Sequence, residues 1–125
     1  DLVTVNQDEP VELVSTLMDW NYFRNVPVED AEHRLVGLVS ARSLLRYLAS
    51  ERDAEGAGSV PISQVMRTDP VTVTRDTPTL EAIETMRRER VSCLPVVENG
   101  TLVGLVNEAD FLRLASQLIE EKLRG

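Results

Sequence analysis

Apolar positions along the chain fall into short β-branched runs and helix-spaced stripes, and the two kinds alternate. The run "VTV" at 3–5 predicts a strand start. Asp8, two residues before Pro10, marks a helix entrance with proline just inside the first turn, and Val11, Val14 and Met18 then recur at helical spacing. A short strand around "VPV" (26–28), a polar turn and the strand "LVGLV" (35–39) lead into a closing helix. The order then returns. "VTV" at 71–73 is followed by Asp76 and Pro78, by Leu80, Ile83 and Met86 at helical spacing, and by a strand around "CLPVV" (93–97). Asn99-Gly100 is a strong hairpin signal before "LVGLV" at 102–106, and the last helix carries Phe111, Leu114, Leu118 and Ile119 on one face. The pattern is strand, helix, strand, strand, helix, occurring twice.

The duplication is visible letter by letter. "DLVTVNQDEP" (1–10) meets "DPVTVTRDTP" (69–78), and "LVGLVSARSLLR" (35–46) meets "LVGLVNEADFLR" (102–113), one residue having been dropped in the intervening turn. Residues 1–28 show nine identities with 69–96, and 34–46 show seven with 101–113. Between the copies "SERDAEGAGS" (50–59) is charged, then small and glycine-rich, and reads as a linker. "VPISQVM" (60–66) reads as a lead-in to the second copy with no counterpart before the first. We therefore expect repeat 1 with its linker over 1–58, lacking that lead-in, and repeat 2 over 59–125. Units of about 60 residues bury little surface alone, so the expected α/β (α+β) fold has two β-α-β-β-α repeats packed about a pseudo-twofold axis. The start at Asp1 and the terminal helix closed by Gly125 suggest a piece of a longer protein, its missing portion on the N-terminal side.

Composition narrows the function. Hydrophobic residues make up 42% and charged residues 27%, a globular balance, while aromatics at 4% leave the core to Val, Leu, Ile and Ala. A formal charge of −8, from 13 basic and 21 acidic residues, argues against nucleic acid or an anionic membrane as a partner. The lone Cys93 forms no internal disulfide, which fits a reducing, cytoplasmic setting, and no apolar run is long enough to span a bilayer. Nothing points to an enzyme. The one His, His33, lies in the variable turn apart from Cys93, no His/Cys/carboxylate cluster has metal-ligand spacing, and no glycine-rich phosphate loop or nucleophile elbow occurs.

The ordered set in duplicate, "VTV…D.TP…A…M", then "LPVV", then "LVGLV" and a polar step into a helix, resembles a CBS domain pair, a tandem of cystathionine-β-synthase type regulatory repeats. The resemblance extends from Asp1 to about Leu118. It implies a disc-like module that commonly forms a homodimer with a second module and regulates an attached domain. Its clefts between the repeats often bind AMP, ADP, ATP or S-adenosylmethionine as regulatory ligands, with no cofactor required. The family's ligand motif runs glycine, two apolar residues, Thr or Ser, two free positions, then Asp. An ionised Asp there accepts only, which suits the paired hydroxyls of a ribose.

Neither copy keeps the whole motif. The second has Gly104 and Asp110 but Asn107 in place of the hydroxyl residue; the first has Gly37 and Ser40 but Ser43 in place of the Asp. The Asp110 cleft is thus the expected ribose site and the Ser40 cleft the weaker, altered or vacant one. The implied ligand set is Asp110, Asn107, Gly104, Cys93, Pro95, Thr72, Ser40, Asn25 and Pro27. Several have a plainer alternative. Asn107 with Asp110, and Ser40, also read as helix caps; Pro27 and Pro95 as edge-strand prolines; Cys93 as a small buried packer. Arg87, Arg88 and Arg90 fit a solvated or dimer-facing helix surface as well as a phosphate site, and Arg42 a surface ion pair. Trp20, Tyr22 and Phe23 fit either a dimer contact or a core plug. Two functions remain open: a ligand-sensing regulatory module, or a degenerate CBS pair that serves mainly to dimerise its host.

Overall fold

Local chemistry sets where the helices begin and end in the computed structural model, which describes residues 2–51 and 60–125. Pro10 and Pro78 are extended, with ψ of 148° and 144°, and stand at the N-caps of α1 (Val11–Asn21) and α3 (Thr79–Glu89). They lie just outside the first turn rather than inside it, because the fixed proline φ suits both helical and extended backbone and ψ decides between them. The Asp8 and Asp76 side chains do not close these entrances. Asn6 Oδ1 accepts from the Asp8 N–H at 2.9 Å, and Thr74 Oγ1 accepts from the Asp76 N–H at 3.2 Å. Both helices end on a left-handed residue, Tyr22 (φ 58°) and Arg90 (φ 56°), and the next amides, Phe23 and Val91, return to the Met18 and Met86 carbonyls.

The contact pattern divides the chain into two compact units, Asp1–Pro70 and Val71–Gly125. In the first, β1 (Val5–Asn6), β2 (Asn25–Glu29), β3 (Leu35–Ser40) and β4 (Arg67–Thr68) lie side by side in that order. The β1–β2 pair is parallel and the other two are antiparallel. The chain leaves β3 directly into α2 (Ala41–Glu51), so Ser50 and Glu51 of the expected linker are helical; 52–59 lie outside the described residues. In the second unit β5 (Cys93–Glu98) and β6 (Thr101–Asn107) form a hairpin closed by Asn99 and Gly100, both left-handed at φ 52° and 81°. The second "VTV" supplies one parallel bridge, Val73 to Val96, instead of a strand. Its counterpart, Val5 to Val28, extends by a residue because the Gln7 N–H takes the Glu29 carbonyl, whereas the Arg75 N–H takes the Glu98 carboxylate. Both hairpins bulge at the same step, Val28/Glu29 and Val96/Val97.

The cores show where repeat logic stops. Val14, Met18, Val26, Val28 and Val39 form the centre of the first unit, and α1 buries Val11, Val14 and Met18 as its spacing predicts. Ile62 joins them with no exposed surface. The segment read as the lead-in to repeat 2 therefore packs in the first unit: Val11 N–H donates to Val60 O at 2.9 Å, Ile62 N–H to Glu9 O at 2.7 Å, and β4 pairs with β3. The second core is smaller, with Val73, Ala82, Met86 and Leu94 at its centre and Phe111 packed against it. Ala82 rather than Leu80 is the buried partner of Met86 on α3, and Leu80 faces solvent. The final helix, α4 (Glu108–Arg124), buries none of its residues fully, and Leu118 and Ile119 of its expected core face are exposed. Of the aromatic cluster only Phe23 packs against a core; Trp20 and Tyr22 are exposed.

Candidate functional site

Each repeat brings its changed letters to one junction, where the last strand passes without a loop into the last helix. In the second repeat Asn107 ends β6 and caps α4, with extended backbone at φ −128° and ψ 174°. Its Oδ1 accepts from the Asp110 N–H at 3.1 Å, and Asp110 Oδ2 accepts from the Asn107 N–H at 2.9 Å. This reciprocal capping box satisfies two helix-start amides. The Glu108 N–H donates to Ser92 O at 3.0 Å. Strand register sets Cys93 opposite Asn107, so the β5 start and the β6 end converge on the same spot. Cys93 is buried. Burial pushes its thiol up to about 12, and the nearby Asp110 carboxylate adds to the rise. The thiol is thus a neutral packer and the carboxylate is the charged group of the junction.

The first repeat builds the same junction from hydroxyls. Ser40 lies opposite Asn25 in the β2–β3 register. Ser40 Oγ accepts from the Ser43 N–H and Ser43 Oγ accepts from the Ser40 N–H, both at 3.0 Å, while the Ser43 hydroxyl donates to Ser40 O at 2.8 Å. The Ala41 N–H donates to Arg24 O at 2.9 Å, matching the Glu108–Ser92 bond. Sequence reasoning did not anticipate this second reciprocal cap. The Ser-x-x-Ser spacing was the available signal, but the familiar capping box carries Glu or Gln at its last position. Ser43 thus stands in for Asp110 as a cap and not as a charge. Its only proton is committed, whereas Asp110 accepts a single bond through Oδ2 and keeps acceptor capacity on an exposed carboxylate.

The other predicted residues sit around these junctions without all joining them. Pro27 and Pro95 are fully buried, and Pro27 lies on a strand with neighbours on both sides, which corrects the edge-strand alternative. The Pro95 carbonyl accepts from the Val73 N–H at 3.0 Å. Its missing N–H faces the same side, before the parallel pairing begins, so no ladder bond is lost. Gly104 lies on β6 against Val96, three residues from Asn107. Thr72 is exposed next to the Val73 bridge, and Asn25 is half-buried. Arg87 pairs with Glu84 at 3.0 Å and Arg88 with Glu89 at 3.5 Å, while Arg90 closes α3, and all three guanidinium-bearing residues are exposed. Arg42 is exposed at the start of α2. Among the described residues no group of three or more His, Cys, Asp or Glu is placed to hold a metal, and no helix is long and apolar enough to cross a membrane.

Comparison with known proteins agrees with this geometry. The CBS domain family model matches residues 1–50 and 62–117. The inosine-5'-monophosphate dehydrogenase of Korarchaeum cryptofilum is 34% identical over 88% of this chain, which spans 21% of that relative's length. Among solved structures, that of AcuB from Vibrio cholerae superposes with a TM-score of 0.85 at 30% identity, covering 97% of this chain and 89% of that one. The structure of CBSX2 in complex with AMP superposes at 0.80 with 25% identity, covering 94% and 89%.

Proposed function

Because the chain belongs to the CBS domain family, a match that takes in both repeats, we propose that it is a ligand-sensing regulatory module whose second-repeat junction binds an adenosine-containing nucleotide. What supports this reading is the Asp110 carboxylate at the strand–helix junction, which gives one oxygen to the capping box and keeps acceptor capacity for ribose hydroxyls. Asn107, Gly104, Cys93, Pro95 and Thr72 would line the ligand. The complex of the similar CBSX2 with AMP supports the choice of AMP, ADP, ATP or S-adenosylmethionine as the first ligands to test. Ser40, Asn25 and Pro27 form the weaker junction, where no carboxylate meets a ribose. In this reading the module acts in the cytoplasm and passes the ligand signal to an attached domain.

Dimerisation without nucleotide is the second reading. It is favoured by the uncharged Ser40–Ser43 junction and by the exposed Leu45 and Leu48 of α2 and Leu112 and Leu123 of α4. One experiment separates the two. Asp110→Ser installs the residue that already caps α2, so it removes the charge while keeping a reciprocal cap. Calorimetry with the four nucleotides on wild type and Asp110→Ser should show binding of one of them, abolished in the variant while its ligand-free melting point stays within a few degrees. Absence of binding by wild type, with a dimer in analytical ultracentrifugation, would favour the second reading.

A further inference from the structure

The two strand–helix junctions share a reciprocal cap and carry opposite charge. Arg24 and Arg42 of the first repeat stand where the second has Ser92 and Ala109, and Ala41 and Ser43 stand where it has Glu108 and Asp110. The first junction therefore has two exposed guanidinium groups and no acid in the first turn of its helix. The second has two exposed carboxylates in that turn and no base. A first-turn acid favours any helix through the dipole. Yet α2 starts on Ala41 without one, and Asp110 alone completes the cap of α4, so the fold does not require Glu108. Among the described residues neither Glu108 nor Asp110 forms an ion pair, and Arg113, one turn along α4, joins neither. The buried Cys93 thiol beside them is neutral. The negative charge of this junction is left without a local counter-charge.

The backbone donors at the junction are also committed. A helix start binds phosphate through free amides and the positive end of its dipole. Here the Asn107 N–H donates to Asp110 Oδ2, the Asp110 N–H to Asn107 Oδ1 and the Glu108 N–H to Ser92 O. A phosphate would have to displace these bonds while approaching two carboxylates. Taking the junction as the ribose site proposed above, we propose that it accepts adenosine derivatives whose 5′ group is neutral or cationic, such as a thioether or a sulfonium, and discriminates against 5′-phosphates. A hydroxyl pair donating to Asp110 carries no charge and meets no repulsion. The 5′ substituent stays within about 8 Å of those hydroxyls, one Debye length at physiological salt, so solvent ions screen it only in part. A phosphate there is repelled by Glu108 and Asp110 together, whereas a sulfonium is attracted by both.

Calorimetric titration of the intact chain with adenosine, S-adenosylmethionine, AMP and ATP tests the proposal. Adenosine should bind, S-adenosylmethionine at least as tightly, and AMP and ATP more weakly than adenosine by about tenfold or more. Added salt should narrow the gap between adenosine and AMP, because it screens a repulsion. Glu108→Gln keeps Asn107, Asp110 and their reciprocal cap, so it should raise the affinity for AMP several-fold and leave that for adenosine unchanged. AMP or ATP binding as tightly as adenosine, and lost in Asp110→Ser, would overturn the proposal while the ribose site stands. An equal effect of Glu108→Gln on adenosine and AMP would overturn it too, by reducing Glu108 to a helix-start acid. Binding of none of the four would overturn both this discrimination and the ribose site on which it rests.

Discussion

Gly37 and Gly104 hold the same place in two copies of one sentence, yet alanine should do opposite things at them. At Gly37 the new Cβ would sit 2.8 Å from Met66 Cγ, closer still to its Sδ, and 3.0 Å from the Arg67 carbonyl. Favourable carbon contacts begin near 3.5 Å, so Met66 must retreat by roughly 0.7 Å or more. The thioether can swing, but the Arg67 carbonyl belongs to the β3–β4 pairing and can move only by loosening it. Overpacking of this kind costs about 1–3 kcal/mol. At Gly104 the nearest atom would be Val96 Cβ at 3.6 Å, an ordinary contact, so alanine should gain the ~0.5–1 kcal/mol by which glycine weakens a strand interior. Urea unfolding should place the variants on opposite sides of wild type. A loss of 1 kcal/mol corresponds to a melting shift of about 4 °C for a chain of this size. Because the strain acts through Met66, the cost of Gly37→Ala should fall by about 1 kcal/mol in a Met66→Ala background. Equal effects of the two alanines, with no coupling to Met66, would refute the reasoning.

Other consequences are as direct. Ile62→Ala should cost about 2–5 kcal/mol and speed hydrogen exchange at Val14 and Val26 of the first unit, where Ile62 is buried, while leaving Leu94 of the second unchanged. Asn107→Ala should cost about 1 kcal/mol through the lost cap, read as a lower melting point, and an unchanged melting point would deny the cap any role. Cys93 gives a pH dependence: its folded-state thiol is raised from 9.0 to about 12, so its contribution is full below pH 9 and is lost as pH rises toward 12. Over that window wild type should lose stability more steeply than Cys93→Ala, by up to ~1.4 kcal/mol per pH unit, and parallel curves would contradict the burial. Asp110→Ser should lower the Cys93 pKa, seen as faster alkylation at pH 9, because the adjacent negative charge is gone.

What was legible in the letters was local. Asn99-Gly100 turns, the β-branched runs pair, and Val11, Val14 and Met18 face a core, each for reasons contained within a few residues. The repeat itself, read by sliding the chain along its own length, carried the order of elements and pointed to Asn107, Asp110, Ser40 and Ser43 as the letters that differ. It also raised capping as an alternative, and the structure shows both junctions capped reciprocally. Periodicity could not say what covers an apolar stripe. Leu80, Leu118 and Ile119 have the spacing of core residues and face solvent, because burial depends on what another part of the chain places opposite them. Nor could adjacency assign Val60–Thr68, which precedes the second copy in sequence and completes the sheet of the first in space. Identical "LVGLV" strands thus receive different environments, one filled by Met66 and one open above Gly104. The sequence determined two equivalent units and a charged junction in one of them. Tertiary structure decided which edges and faces were filled, since strand pairing and side-chain packing join residues that sequence order keeps apart.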